Sequence, residues 1–565
     1  MGFIEFRDSI IDYLSREKEY CEADIESNKN LPDFEKVEQG LLVQSAKIVD
    51  QRGVEYKFSV SVNNTKLRPG DSVVVHNSRT KKQYKATIIE NDFEHIYATI
   101  SSNLSLDDEY DIEVKEFVLL DPLISLAETI EDGAPGVFLM EQLAGIEEPM
   151  GVGLGRISVE IVNTFPKTLN EAQRSVCLKV LDRPSIYCIQ GPPGTGKTDV
   201  LATIAHTFSS HGNEVLIISN THQAVNNALN KICKKAPELT IVKIGEELRA
   251  QELDEKIILS KSYKDYSDSR KSKKKKKSTS ADVVGMTFHS AVINLGLRNS
   301  GFQPSIVLVD EAGQMPLVQA SLIGTFGSGS MIFIGDDKQM PPIFHEKLNQ
   351  DPLSVSIFTY LCNKYPNIKG RLSVTYRMNE EITKCVSRNF YEIDNEQLIA
   401  SDFSKSRTLS LESSCDDERI KNILRDEKSI HQINVTTNDV CEDMNPEEAE
   451  FIAKMVGDAI KNGMKVSDIA VITPYRRQVK TIRSSLNKMN IDELPLIDTV
   501  ERLQGQDVDI IIISFCVSSR YYFQKNEQFL LDPNRLNVMI SRAKKKVVMV
   551  CSDLFKATYD RLLSE

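Results

Sequence analysis

The sequence predicts an α/β protein: two tandem doubly wound parallel-sheet domains, preceded by a helical stalk and a small β-barrel. Three observations carry this. Near-continuous apolar runs, "SIYCIQ", "EVLIISN", "SIVLVDE" and "SMIFIGD", recur between residues 185 and 336, and helix-period segments separate the first of them. Such runs read as strands buried on both faces of a parallel sheet. A second set, "DIAVITPY", "VDIIIISF" and "KVVMVCS", follows between 468 and 552. Ahead of both, six short β-rich runs are broken by turn chemistry such as "LRPGD" at Leu67–Asp71, which suits a small antiparallel barrel.

Taken in order, residues 1–37 form an N-terminal stalk, with Phe3, Phe6, Ile10 and Leu14 near one helical face. Residues 38–118 form the barrel, which reads equally as a nucleic-acid-binding fold or as scaffold. Residues 119–164 are a helical linker, ended by the glycine-rich "PMGVGLGR" at Pro149–Arg156. The first parallel-sheet domain covers 165–365. In it, Thr198–His211 places Val200, Leu201, Ile204 and Phe208 on one face, and Gly212 stops the helix. Residues 262–280, polar and lysine-rich, are expected to be a mobile loop. Their Lys273–Lys277 run reads as a phosphate-contacting or localisation segment, or simply as solvated charge. The second domain covers 366–565.

At 565 residues the chain is too long for one core. Its 41% apolar and 27% charged content is that of a globular protein. The net charge of -12 means attraction to a polyanion cannot come from the total and needs a local basic groove. Ten cysteines form no C-x-x-C pair and eight histidines form no ligand-spaced cluster, which argues against a structural zinc module or an iron–sulfur cluster. There is no secretory h-region and no membrane-length apolar run, so an intracellular protein without membrane association is expected, cytoplasmic, or nuclear if eukaryotic.

"GPPGTGKT" at Gly191–Thr198 fits G-x-x-x-x-G-K-[ST] in full, after an apolar run and at the start of a helical one. Gly191, Pro192, Pro193, Gly194, Thr195 and Gly196 would close backbone N–H groups around phosphate oxygens. Lys197 should reach the β/γ-phosphates of ATP, and Thr198 should ligate Mg²⁺. Asp310 and Glu311 end the run "SIVLVDE". A carboxylate there can hold the metal, and its neighbour can orient or deprotonate water. These parts make a nucleotide hydrolase of unspecified task.

Further motifs, from Leu169 to Val550, arrive in an order that resembles superfamily 1 helicases. The branch resembled is the one typified by the up-frameshift RNA helicase of nonsense-mediated decay. They are "LNEAQ" (169–173), "SNTHQAVNNAL" (219–229), "VVGMTFHSA" (283–291), "DEAGQ" (310–314), "GDDKQMPP" (335–342), "TYRMNEEI" (375–382), "TPYRRQV" (473–479), "DTVERLQGQD" (498–507) and "RLNVMISRAKKKVVMV" (535–550). The resemblance implies two RecA-like domains with ATP between them. It assigns Gln173 to the adenine edge, Tyr376 to the base, and Gly505 and Asp507 to the nucleotide or strand. Gln339 and Arg377 would face the γ-phosphate, with Arg542 as a second arginine finger. Thr221, Thr287 and Thr473 would contact the nucleic-acid strand, although Thr at such junctions also serves as a helix N-cap. Leu503, Asp507 and Ser541 depart mildly from the family pattern, and the stretch between "IVKIG" and "VVGMT" is short for it.

The expected function is a monomeric ATP-driven translocase or helicase on single-stranded or tailed DNA or RNA. Its 5′→3′ polarity comes from the resemblance alone. An ATP-gated nucleic-acid clamp or protein-displacing remodeller that does not unwind duplexes, and a P-loop interaction switch without nucleic acid, stand as alternatives.

Overall fold

The computed structural model describes residues 2–563 apart from 93, 116–119, 135, 152–164, 251, 273–279, 294–301, 303, 327–328, 393–395, 436, 438–439, 490, 492 and 503–505. The first helix spans Phe3–Lys29. Phe3, Phe6, Ile10 and Leu14 are buried, as their spacing requires, in one cluster with Leu123, Leu126 and residues of the first parallel sheet. Each such side chain contributes about 1.5–3 kcal/mol. The Tyr13 hydroxyl lies 2.8 Å from the Ser354 hydroxyl and Arg16 pairs with Asp351 at 2.7 Å, so the stalk is fixed to the first parallel-sheet domain.

The barrel is closed by β1 (Leu42–Arg52), β2 (Glu55–Ser59), β3 (Ser72–Asn77), β4 (Gln83–Asn91), β5 (His95–Thr99) and β6 (Glu109–Val114), in the order β1-β2-β5-β4-β3-β6. Alternate residues such as Val73, Val75, Ile96 and Ala98 fill its interior. The barrel touches both parallel-sheet domains. Its Asp71 pairs with Arg249 of the first at 3.0 Å. From the second, Arg476 donates to the carbonyl of Asn64 at 2.9 Å and to that of Thr65, and Lys480 donates to the carbonyl of Ser61 at 3.0 Å.

The first parallel sheet holds β7 (Ile186–Gln190), β8 (Val215–Ser219), β9 (Ile241–Ile244), β10 (Ile258–Ser260), β11 (Val283–Thr287), β12 (Ile306–Asp310), β13 (Ser330–Gly335) and β14 (Lys369–Arg371). Their order is β10-β9-β11-β8-β12-β13-β7-β14. β7, β8, β12 and β13 are buried along their whole length, which is why they read as unbroken apolar runs. Two expectations are corrected. Lys369–Arg371 pairs with β7, so the first sheet extends past the boundary expected at 365. These residues are polar, and their membership comes from hydrogen bonding rather than from an apolar pattern. Residues 262–280 are not a loop throughout. Tyr263–Ser272 is helical, and Tyr263 and Tyr266 bury one face of it beside Phe302. The lysine run 273–277 lies outside the described residues.

A short parallel pair, β15 (Val374–Thr375) and β16 (Ile399–Ala400), precedes the second sheet. That sheet holds β17 (Ile430–Asn434), β18 (Ile469–Ile472), β19 (Leu496–Asp498), β20 (Val508–Ser514) and β21 (Ala543–Cys551), all parallel, in the order β17-β21-β20-β18-β19. Among the described residues no helix is long and apolar enough to cross a membrane.

These orders position the site. β12, β13 and β7 are neighbours, so their C-terminal ends gather Asp310, Asp336 and the glycine loop on one edge. β20 and β21 are neighbours, so Asp507 and Arg542, each just before its strand, meet at the N-terminal edge of the second sheet. The Val508 N–H donates to the Arg542 carbonyl there at 3.1 Å. The cleft lies between those two edges.

Candidate active site

The glycine loop leaves β7 and enters the helix Lys197–Ser210. Gly194 and Gly196 have φ of +73° and +81°, the region that favours glycine. Space is short as well. A Cβ on Gly194 would sit 2.5 Å from the Arg377 Cβ and 2.6 Å from the Thr375 Oγ1. The Gly194 carbonyl accepts the Tyr376 N–H at 2.8 Å, so the loop docks on the segment bearing Tyr376 and Arg377. Gly194→Ala is therefore expected to cost about 1–3 kcal/mol of stability and to weaken nucleotide binding about tenfold. Thermal melting and a nucleotide titration check this, and unchanged values in both would refute the packing argument.

Lys197 Nζ donates to the Gly191 carbonyl at 2.5 Å, and the Thr195 hydroxyl donates to the Pro192 carbonyl at 2.7 Å. Pro192, Pro193, Gly194, Thr195, Gly196, Lys197 and Thr198 line a cleft of about 1060 Å³. Asp310 and Glu311 share its wall. Burial, then the charge of Glu311, push the Asp310 carboxyl up to about 7, against the pull of Lys197. Glu311 holds a left-handed backbone (φ +54°), a strained conformation for a residue with a Cβ. Two carboxylates and a threonine hydroxyl in one cleft form the hard-oxygen donor set that suits magnesium, and Thr198 and Asp310 would hold it.

From beyond the first sheet come Arg542, which is buried, and Arg377, which is half-buried, both lining the cleft. An Arg377 Nη donates to the Ser541 carbonyl at 3.1 Å. Burial lowers the pKa of Arg377, against the pull of Asp507 and Glu311. Burial and the neighbouring Arg377 bring Arg542 down to about 10, and its Nε has no hydrogen-bond partner among the described residues. Burial also opposes the charge of Asp507, but Arg377 and Lys544, the latter paired with it at 2.9 Å, outweigh burial and hold it below the usual carboxylate range. A buried guanidinium beside a second, half-buried one is costly unless an anion lies against the pair. Opposite the lysine-bearing loop, that anion can be a phosphate.

Gln173, Gln339 and Tyr376 also line the cleft. Gln173 accepts the Asn170 N–H and donates to the Thr195 carbonyl, each at 3.0 Å, so it braces the loop. The Tyr376 hydroxyl accepts from the Asn170 amide at 2.9 Å. Gly505 lies outside the described residues.

Thr287 ends β11 in register with Ser219 of the neighbouring β8, and Thr221 follows Ser219 by two residues. Thr221 caps the helix His222–Lys235, accepting the Ala224 N–H at 3.2 Å, while also lining the cleft. Thr287 is buried and accepts the Ser290 N–H at 3.3 Å. Thr473 directly follows β18 and is 0% exposed, its hydroxyl buried.

Sequence reasoning missed Arg407, which donates to the carbonyls of Tyr376 at 3.2 Å and Arg377 at 2.7 Å and so fixes the segment between the two domains. It also missed Arg68 and Pro69, which bring the barrel turn "LRPGD" to the cleft. That turn was legible, but its destination was not.

Two AAA-domain families match the chain, one over residues 168–257 and the other over 353–554. A DNA replication ATP-dependent helicase/nuclease of Arabidopsis thaliana is 27% identical, over 68% of this chain and 28% of that protein. One of Schizosaccharomyces pombe is 29% identical over the same shares. The chain thus spans little more than a quarter of the length of these relatives. An uncharacterized ATP-dependent helicase of Methanocaldococcus jannaschii is 26% identical over 72% of this chain and 71% of its own. Among solved structures, the arterivirus nonstructural protein 10 helicase aligns with a TM-score of 0.41 and 13% identity, over 92% of this chain and 80% of that one.

Proposed function

We propose, from the premise that this chain is an ATP hydrolase of helicase superfamily 1, that it is a translocase moving 5′→3′ along single strands, of the up-frameshift branch. The observation that carries this reading is the shared cleft. Lys197, Thr198, Asp310, Glu311 and Gln339 come from the first domain, and Arg377 and Arg542 enter the cleft from beyond it. With triphosphate between them, the two guanidinium groups gain charge-assisted hydrogen bonds and the domains draw together. Phosphate loss removes that attraction and lets them part, which moves two strand-holding surfaces relative to one another. Tyr376 and Gln173 would flank the base, Gly505 and Asp507 would lie toward the ribose or strand, and Glu311 would orient the attacking water. Magnesium, when bound, adds charge neutralisation on the phosphates. The words "DNA replication" in the relatives' names favour DNA as the track.

A second reading, an ATP-gated clamp, is favoured by one observation: the barrel is bonded to both domains. ATP turnover with single-stranded DNA against single-stranded RNA, each over a salt series, tests the track. Stimulation by DNA is expected. The absence of stimulation by either strand would leave only the interaction switch. Duplexes with 5′ or 3′ tails test the rest: unwinding of the 5′-tailed substrate supports the motor, and stimulation without unwinding supports the clamp.

A further inference from the structure

A buried chain of hydrogen bonds crosses between the two domains beside the cleft, and its second-domain members are not among the site residues above. It starts at Gln339, whose Nε2 donates to Asp336 Oδ2 at 2.7 Å. The same carboxylate oxygen accepts the Tyr391 hydroxyl at 2.6 Å. That hydroxyl accepts in turn from Asn537 Nδ2 at 3.0 Å, and the same amide donates to the Lys338 carbonyl at 2.6 Å. The other Asp336 oxygen accepts the Lys338 N–H at 3.1 Å. Both second-domain groups therefore land on one turn, residues 336–339. Tyr391 and Asn537 are completely buried, and Asp336 and Gln339 nearly so.

The local backbone fits a coupling element better than a simple weld. Tyr391 ends a π-helical turn, Ser387–Tyr391, that follows the helix Glu380–Val386. Such turns recur at functional sites. Asn537 lies in the helix Pro533–Ile540, and its carbonyl accepts the Ser541 N–H at 3.0 Å, immediately before Arg542. Asn537 thus reaches the Gln339 turn with its side chain and the base of the arginine finger with its backbone. One Asp336 oxygen is shared between the cleft-lining amide and the second-domain hydroxyl. When Gln339 turns toward a phosphate, the bonding left to Tyr391 must change.

We propose that Tyr391 and Asn537 are positioning residues that couple the Gln339 turn to the Arg542 helix, so that the state of the terminal phosphate biases how the two domains sit. This rests on the motor reading. Coupling of this kind is reciprocal, so the seating of Arg542 also biases Gln339.

Tyr391→Phe removes one oxygen and leaves the buried ring in place. With saturating single-stranded DNA, kcat for ATP is expected to fall about tenfold, while KM for ATP stays within about twofold. The Tyr391→Phe, Gln339→Ala double variant should be no slower than Gln339→Ala alone. A kcat within twofold of wild type, a KM that moves in step with kcat, or independent multiplication of the two losses would each overturn the relay. If Tyr391→Phe does not fold, Asn537→Ser carries the same comparison. If wild type is not stimulated by any strand, the motor reading fails by itself, and the relay is still decided on unstimulated turnover.

Discussion

Lys197→Ala is expected to lower ATP turnover by on the order of 10³-fold. The side chain of Lys197 lies over Gly191, and among the described residues its Nζ forms no ion pair, donating instead to the Gly191 carbonyl, so its charge is available to a phosphate. Removing it takes away the cation of the glycine loop. The N–H groups held by Gly194 and Gly196 in left-handed conformations stay, so nucleotide should still bind, more weakly. Phosphate release under steady-state conditions, together with a nucleotide titration, separates the two effects. Turnover near wild type would place the chemistry elsewhere.

Arg542→Ala is the second large expectation: nucleotide binding retained, hydrolysis slower by about 10³–10⁵-fold. The proposed finger sits before β21, so it contributes only while the domains are together. Its removal also relieves a buried like charge beside Arg377. Stability should therefore not fall, and a melting temperature at or above wild type is expected. Single-turnover hydrolysis and a melting curve on the same sample are decisive. A large loss of stability would mean that Arg542 is a structural ion, and near-normal turnover would reject its role in hydrolysis.

Much of this was legible in the sequence, because it is local. A strand buried on both faces writes itself as an unbroken apolar run, as β7, β8, β12 and β13 do. The phosphate loop is a contiguous stretch whose glycines answer to backbone geometry. What escaped reading depends on partners far along the chain. The helix Tyr263–Ser272 was hidden because two tyrosines bury it within an otherwise charged segment. Lys369–Arg371 carries no apolar signal and is a strand only because β7 offers it an edge. Arg407, Tyr391 and Asn537 act on residues that are close in space and distant in sequence, which no periodicity records. Thr473 sits where a motif places a strand contact, yet its residue is sealed in the core.

The barrel's double attachment, through Asp71 to Arg249 and through the carbonyls of Asn64 and Thr65 to Arg476, makes it a strut whose ends are pinned to different domains. If the two domains part, the barrel can stay with only one of them, and the contact to the other must break.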